Sequence, residues 1–470
     1  MPTPPCNLLS IRSCGAIVGF CRQMLRFVGS LALLCLAAQA AQAGVVPVCD
    51  DLTASDAATL TLTHALARVA DCHPEVRTAR AALGAAAADV RVAGQAPNPQ
   101  LTLGAGSISR SVGGGPIWRR TFDQSARIDQ LIERGNKPGL RHAAAESTRQ
   151  AALADLADSA RRAAAAVVRA HQDLWAIQGR RSQLQGAVLL SAESLRLLDL
   201  RVRAGDAPAL DASRFRLDDA RLQGDLRQAS ADAQDQQRQL ALLIGAGAVA
   251  GHLQPQAVDL AALAAPPQDA PALAALSLEL AERRPDVSAA LSRVSAASQL
   301  RDLAAAARTR DITVGVQLDH WPTSAANLSG TGNTVSLSLS VPLFLRHANE
   351  GELARAEADL AMAQDALRRA RETASAEIGR AAALTLAAAD RRHLVVDQLL
   401  PAADKVAAGA ELAYRRGASS ALELLDARRS QRAVQVERIA ADAELAKALA
   451  DWHVTASSVD LLLNLGGPRR

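Results

Sequence analysis

Two short stretches in the second half of the chain decide the fold class. Residues 312–319 read ITVGVQLD, and residues 335–343 read VSLSLSVPL. In each stretch an apolar side chain alternates with a small or polar one, and a period of two predicts a β-strand with one apolar face. A polar, glycine-containing loop at 324–333 lies between them. The two stretches therefore predict a pair of strands joined by a loop.

A weaker strand pair is predicted in the first half of the chain. Leu101, Leu103 and Ala105 alternate with other residues, and a second alternating stretch runs over residues 122–132. The chain thus has four predicted strands. The smallest known membrane barrels use about eight strands, so one chain cannot close a barrel alone. Either the strands form a soluble sheet, or several chains pool them.

The two strand pairs belong to an internal duplication. The sequence HPEV at 73–76 is answered by RPDV at 284–287, an offset of 211 residues. The sequence RAG at 203–205 is answered by RRG at 415–417, an offset of 212 residues. Two nearly equal offsets predict a duplicated unit, which consists of a helical stretch, two strands and two long helices.

The duplication sets the predicted domain boundaries. A segment rich in Gly, Ala, Pro and Gln lies between the copies and is predicted to be a linker. The first helical stretch of each copy is expected at about 57–94 and 272–308, and a kink is expected at Pro401. The predicted divisions are a signal peptide at 1–43, an N-terminal segment at 44–59, the first repeat at 60–245, the linker at 246–271, the second repeat at 272–457 and a C-terminal tail at 458–470.

Composition narrows the class of protein. Of the 470 residues 49% are hydrophobic, but only 2% are aromatic, which favours long, closely packed helices rich in alanine and leucine. The high apolar content excludes a disordered chain. The net charge is +4 with the two signs interspersed, so the sequence lacks the basic face of a nucleic-acid binder.

The N-terminus predicts export. Several arginines precede an apolar run at 27–38, and the small-x-small pattern of Ala41–Ala43 follows it. This order is typical of a cleaved secretory signal peptide, and the apolar run is short for a membrane anchor. Of the six cysteines, Cys49 and Cys72 follow this segment. In an oxidising compartment they either pair as a disulfide or remain free thiols. Export and the alternating strands together favour strands pooled in a membrane.

Three motifs in the second copy resemble the outer-membrane efflux proteins of the TolC type: LLPAAD at 399–404, YRRG at 414–417 and LELLDAR at 422–428. The resemblance extends from about residue 60 to residue 457. Further motifs resemble the cation-efflux (CzcC-like) branch, although Leu345 stands where an Asp commonly follows. These motifs are PNPQL at 97–101, IERGNK at 132–137, VPLF at 341–344 and NEG at 349–351.

The resemblance implies a mixed fold of α-helices and membrane β-strands. Three chains would form a homotrimer with one twelve-stranded barrel in the outer membrane, and their long helices would continue as a periplasmic tunnel. The implied partners are a periplasmic adaptor (membrane fusion) protein, an inner-membrane RND transporter and outer-membrane lipid. The implied function is a passive conduit of a tripartite efflux system for divalent heavy-metal cations. The alternatives are multidrug efflux, type I secretion, or a soluble periplasmic coiled-coil scaffold or adaptor.

The resemblance also assigns candidate site residues at the periplasmic entrance. Glu423 and Asp426 are three residues apart and share a helix face, so a trimer would carry two rings of three carboxylates that attract cations. Asp211 would accept a hydrogen bond from the Tyr414 hydroxyl. The competing interpretation is solvated surface charge. The expected tip turns, where glycine supplies free backbone angles, are Gly205 and Gly417.

Neither catalysis nor a bound cofactor is predicted. The sequence has no G-x-S-x-G, H-E-x-x-H or P-loop pattern. The nine His lack ligand spacing beside Cys or carboxylates, and there are only 3 Met. A tight metal site is therefore not expected, and a conduit needs none because strong binding would block passage. Energy for transport has to come from a partner.

Overall fold

The computed structural model describes residues 49, 52–106, 122–205, 208–258, 265–321 and 332–456. These residues belong to one unit, which spans 49–470. The predicted signal peptide at 1–43 and the predicted C-terminal tail lie outside the described residues. None of the helices in the described ranges is long and apolar enough to cross a membrane.

The elements alternate between helices and strand pairs. The four strands are β1 (Gln100–Gly106), β2 (Asp123–Ile132), β3 (Ile312–Trp321) and β4 (Gly332–Ser340). The helices of the first half are α1 (Ala54–Ala58), α2 (Leu62–Ala67), α3 (Val69–Cys72), α4 (Pro74–Ala93), α5 (Lys137–Arg203) and α6 (Ala209–Ile244). Those of the second half are α7 (Ala270–Glu282), α8 (Pro285–Ala306), α9 (Glu350–Leu394), α10 (Leu400–Arg415) and α11 (Ala421–Thr455).

The two halves repeat the same order with nearly the same lengths. Helix α5 has 67 residues and is about 100 Å long at 1.5 Å per residue. In the second copy α9 and α10, joined by a short π-helix, cover the equivalent span. Helices α6 and α11 have 36 and 35 residues. Asn136 and Asn349 adopt the left-handed conformation directly before α5 and α9, at φ 57° and 61°. The predicted fold class is confirmed for the chain: a duplicated helical protein with four strands.

The predicted helical stretches are interrupted. The stretch expected at 57–94 is four helices, because Thr61 and His73 cap new helix starts and Pro74 follows at the first helical position. The stretch expected at 272–308 is likewise divided before Pro285.

The irregularity expected at Pro401 lies just before it, as a π-helical turn at Val395–Leu399. Proline has no N–H to donate, and its ring crowds the carbonyl four residues earlier. For Pro401 that residue is Asp397, which lies inside the π turn. The wider turn thus allows the chain to pass the proline without a break in the helix.

The strands form one antiparallel sheet in the order β1-β2-β3-β4. The register aligns rows of side chains across all four strands. One row consists of Leu101, Ile128, Val316 and Leu337, and the next consists of Thr102, Arg127, Gln317 and Ser336. Because side chains alternate along a strand, these rows point to opposite faces of the sheet. One face is therefore apolar and the other polar.

The main core lies where the N-terminal segment packs onto the long helices. Leu174 of α5, Leu240 of α6 and Leu60 before α2 are fully buried, and Leu449 of α11 joins them. His171 of α5 is buried at the same place, and its Nε2 lies 3.1 Å from the Leu60 carbonyl oxygen. Alanines fill the remaining contacts, so closely spaced helices replace the bulky aromatic core of an ordinary globular protein.

The predicted linker contributes to this core in its described part. Leu253 is fully buried, and Leu60 pairs with Pro255 in an isolated parallel bridge. Cys49 and Cys72 form a disulfide with a Cα–Cα distance of 5.0 Å. Gly245, which ends α6 at φ +65°, lies against this disulfide: an added Cβ would be 2.8 Å from Cys49 Sγ. Burial of Leu253 and the bridge to Leu60 therefore hold the linker against the core, and the disulfide joins Cys49 to the end of α3 beside it.

Candidate functional site at the helical turns and the sheet

Two helical turns carry the predicted entrance residues. Gly205 lies between α5 and α6 at φ +80°, and Gly417 lies between α10 and α11 at φ +73°. A Cβ added to either glycine would meet no atom within 4 Å, so the backbone conformation alone favours glycine. Both turns thus have the left-handed geometry expected of tip glycines.

The two turns pack against each other through a small apolar cluster. Phe215 of α6 and Leu425 of α11 are buried in it, and Leu198 of α5 packs beside them. Tyr414 is partly buried against the same cluster. The Arg201 guanidinium lies over the Tyr414 ring, 5.7 Å from its centroid, in a cation–π contact between the two copies. The turns therefore form one joined tip.

Glu423 and Asp426 are both exposed on α11. Ser420 caps this helix, because its hydroxyl accepts a hydrogen bond from the Glu423 backbone N–H at 3.3 Å. Across the residues that the structure describes, neither carboxylate is in an ion pair or a side-chain hydrogen bond. Three residues apart on one helix, they present two unneutralised negative charges on one face. This arrangement attracts cations without binding them tightly.

The other two predicted entrance residues have separate partners. Asp211 accepts from Arg214 at 3.4 Å, within α6. Tyr414 contacts Arg201 instead of Asp211. Arg415, the residue after Tyr414, pairs with Glu411 on its own helix. Within one chain the structure therefore brings Glu423 and Asp426 together but leaves Asp211 and Tyr414 apart.

Sequence reasoning missed an ion cluster below the tip. Asp218 of α6 is buried and accepts from Arg429 Nε of α11 at 2.8 Å. Arg432 lies 3.8 Å away. Burial lowers the pKa of the Arg432 guanidinium, and Asp218 opposes that shift. Asp218 and Arg429 are 211 residues apart, close to the repeat offset. Opposite charges at equivalent positions of the two sequence repeats are the signal that could have revealed the cluster.

The apolar face of the sheet is exposed. In the row that crosses all four strands, Leu101 is 60% exposed and Leu337 is 81% exposed. Val316 and Ile128 in the same row are also exposed. An apolar face of this extent marks a surface that contacts lipid or another protein.

The opposite face of the sheet is polar and charged. Arg127 of β2 donates to Asp129 at 2.8 Å and to the Ser338 hydroxyl of β4 at 3.0 Å. Gln317 of β3 donates to Asp319 at 2.8 Å. The alternation in the sequence predicted only that these positions lie on the non-apolar face. The pairing of Arg127 with Asp129 is a finding of the structure.

No group of three or more metal-ligating side chains occurs within the described ranges. Within those residues the sheet and the tips offer exposed surfaces and weak electrostatic attraction.

Comparisons with known proteins agree on one family. Residues 276–451 match the family described as outer membrane efflux protein. The cobalt-zinc-cadmium resistance protein CzcC of Cupriavidus metallidurans is 24% identical over 373 residues, which is 79% of this chain and 84% of CzcC.

Two solved structures have the same fold. A membrane protein from Pseudomonas aeruginosa is similar with a TM-score of 0.70 and 20% identity, over 84% of this chain and 92% of its own. CusC, studied for its folding and transmembrane channel formation, is similar with a TM-score of 0.70 and 16% identity, over 88% of this chain and 98% of its own.

Paired long helices and a four-stranded sheet are the fold that this chain shares with these two structures. Residues 276–451 match the outer membrane efflux protein family, which confirms the family that the motifs predicted. Its location in the bacterial outer membrane, predicted from the same resemblance, is confirmed with the family. The family is one of efflux proteins and not a family of enzymes.

Proposed function

We propose that three copies of this chain form an outer-membrane channel, the passive conduit of a tripartite efflux system for divalent heavy-metal cations. The observation that carries the proposal is the sheet. Among the described residues it has one exposed apolar face, one charged face and four strands. An alternating strand set of this kind suits a barrel with lipid outside and water inside.

Closure of the barrel follows from the strand order. β1 and β4 are the edges of an antiparallel sheet with an even number of strands, so they run in opposite directions. β4 of one copy can therefore pair antiparallel with β1 of the next. Three copies would give twelve strands, which exceeds the minimum of about eight. The long helices would then line a periplasmic tunnel below the barrel.

The entrance and the cargo are supported by charge and by likeness. In a trimer Glu423 and Asp426 would form two rings of three carboxylates at the tip, which favour cations over anions. The relative CzcC is named for resistance to cobalt, zinc and cadmium, which supports metal cargo for this chain. The sequence contains no P-loop pattern, so a periplasmic adaptor and a proton-driven inner-membrane RND transporter would supply direction and energy.

A deletion strain grown on zinc, cadmium, cobalt, copper, silver and common drugs tests this function. We expect sensitivity to metals alone, which the intact gene restores. A variant with both Glu423→Gln and Asp426→Asn serves as the site control, because both side chains are exposed and the fold is retained. Sensitivity to drugs and dyes instead would assign the channel to multidrug export. Unchanged growth on every metal would remove the metal assignment.

A further inference from the structure

The apolar row of β4 continues beyond the end of the strand. β4 ends at Ser340, but the odd-numbered positions remain apolar through Val341, Leu343 and Leu345. Leu343 is 67% exposed, and Leu345 is 85% exposed. Leu337 and Leu339, two positions within the strand, lie on the same apolar face. We call residues 341–347 the basal segment, because it joins the sheet to helix α9.

Positive charge collects around the basal segment. The chain stretches that meet there, 133–141, 308–311 and 341–350, contain six Lys or Arg and three Asp or Glu. Glu133 pairs with Arg141 at 2.8 Å, and Asp311 pairs with Lys137 at 2.8 Å. The third carboxylate, of Glu350, accepts from the Ala348 backbone N–H at 2.9 Å.

Four arginines of this region form no ion pair among the described residues: Arg134, Arg308, Arg310 and Arg346. Two of them flank the apolar segment: Arg310, before β3, and Arg346, at the end of the basal segment. Both are exposed. The Arg310 guanidinium lies over the Phe344 ring, 5.4 Å from its centroid, which fixes it beside the apolar segment. An aromatic ring, exposed leucines and unpaired arginines thus share one edge of the sheet.

This combination matches the boundary between hydrocarbon and headgroups. Exposed leucines favour acyl chains, aromatic rings favour the interface, and arginines extend their charged ends toward phosphate. Clusters of basic residues beside a membrane surface attract anionic lipid. A water-facing turn would gain nothing from Leu343 and Leu345, and a zwitterionic surface would leave the excess positive charge unbalanced.

We propose that the basal segment, with Arg310, is a binding surface for anionic phospholipid in the inner leaflet of the outer membrane. Leu343 and Leu345 would contact the acyl chains, and Arg310 and Arg346 would contact the headgroup phosphate. The proposal rests on the proposed membrane location of the sheet. It adds a lipid preference that anchors the junction between barrel and tunnel at a fixed depth.

The test uses the full-length protein purified in detergent and mixed with equal amounts of phosphatidylglycerol and phosphatidylethanolamine. Native mass spectrometry then counts the lipids retained by each assembly. We expect the wild type to retain phosphatidylglycerol preferentially. The double variant Arg310→Gln, Arg346→Gln should lose that preference at least about fivefold, because one arginine near an anionic surface contributes about a factor of five. Arg380→Gln, which replaces an exposed arginine of α9 outside this region, should leave it unchanged.

A second variant, Leu345→Asp, keeps the test independent of folding, because a side chain 85% exposed contributes little packing. It should reduce phosphatidylglycerol retention with the assembly mass unchanged. Equal retention of both lipids by the wild type, or an undiminished preference in both variants, would overturn the inference. A loss of assembly in Leu345→Asp would also overturn it, since the segment would then be a contact between subunits. Failure of the wild type to insert into vesicles of either lipid would instead contradict the proposed channel.

Discussion

The substitution Leu337→Arg distinguishes a lipid-facing sheet from a water-facing one. Leu337 is 81% exposed within the chain, so its replacement removes little protein packing. On a water-facing surface such a change costs within about 0.5 kcal/mol. On the lipid face of a barrel an arginine costs about 2–4 kcal/mol near the bilayer midplane. Leu337 lies close to the middle of β4, Gly332–Ser340, so we expect a cost in the upper range for each chain.

Ser336→Arg is the matched control, because Ser336 is the preceding residue and points to the opposite, polar face. The measurement is the urea dependence of unfolding for protein reconstituted in phospholipid vesicles, followed by tryptophan fluorescence. We expect Leu337→Arg to lower the free energy of unfolding by about 2 kcal/mol or more, and Ser336→Arg by less than about 1 kcal/mol. Equal costs for the two variants, or a larger cost for Ser336→Arg, would refute the assignment of faces.

Three further predictions concern the helical part. Gly245→Ala should destabilise the protein by at least about 2 kcal/mol, since left-handed backbone costs about 1–2 kcal/mol and the new Cβ meets the disulfide, whereas Gly247→Ala should be neutral in the same urea titration. Replacing Glu423 and Asp426 by amides should lower the cation-over-anion permeability of reconstituted channels about tenfold at low salt and less at high salt; an unchanged reversal potential would count against the entrance rings. Burial lowers the pKa of His171 to about 4, below its ordinary value of 6.5, so stability should fall as the pH drops from 6.5 toward 4, by about 3 kcal/mol in all. His171→Gln should abolish that part of the pH dependence, and an identical pH profile in the variant would disprove it.

The acid sensitivity of His171 has a geometric origin. Its Nε2 donates to the Leu60 carbonyl, and its Nδ1 accepts from the Gln172 amide at 3.1 Å. Both ring nitrogens are therefore satisfied in the neutral form. Protonation would place a second N–H against the Gln172 donor inside the core, so the neutral ring is the one that holds the N-terminal segment on α5.

The sequence was sufficient for the strands where alternation was strict and for the order of elements. Val335, Leu337 and Leu339 define a face without any long-range information. The break at Thr61 was not predicted, because a threonine cap competes with a helical period that continues on both sides. The π turn before Pro401 was also not predicted. The position of a proline is visible in the sequence, but the way in which the helical hydrogen bonds adjust around it is not.

Contacts between the two copies were the least predictable part of the candidate site. Asp218 with Arg429 and Tyr414 with Arg201 join residues more than two hundred positions apart, and nothing local marks them. Asp211 was expected opposite Tyr414, yet a closer arginine on its own helix, Arg214, takes the carboxylate. The nearby arginine on the same helix therefore determines the ion pair of Asp211, and the distant Tyr414 does not.

The central claim is that neighbouring chains close one barrel, and cysteine cross-linking across the two sheet edges tests it most directly. Leu103 of β1 is replaced by cysteine together with Val335, Leu337 or Leu339 of β4, which share the same face. Single-cysteine variants serve as controls. Oxidation in membranes should produce covalent dimers and trimers in at least one pair, with no larger species. Exclusively monomeric product in all three pairs, or a ladder that extends beyond the trimer, would contradict the account.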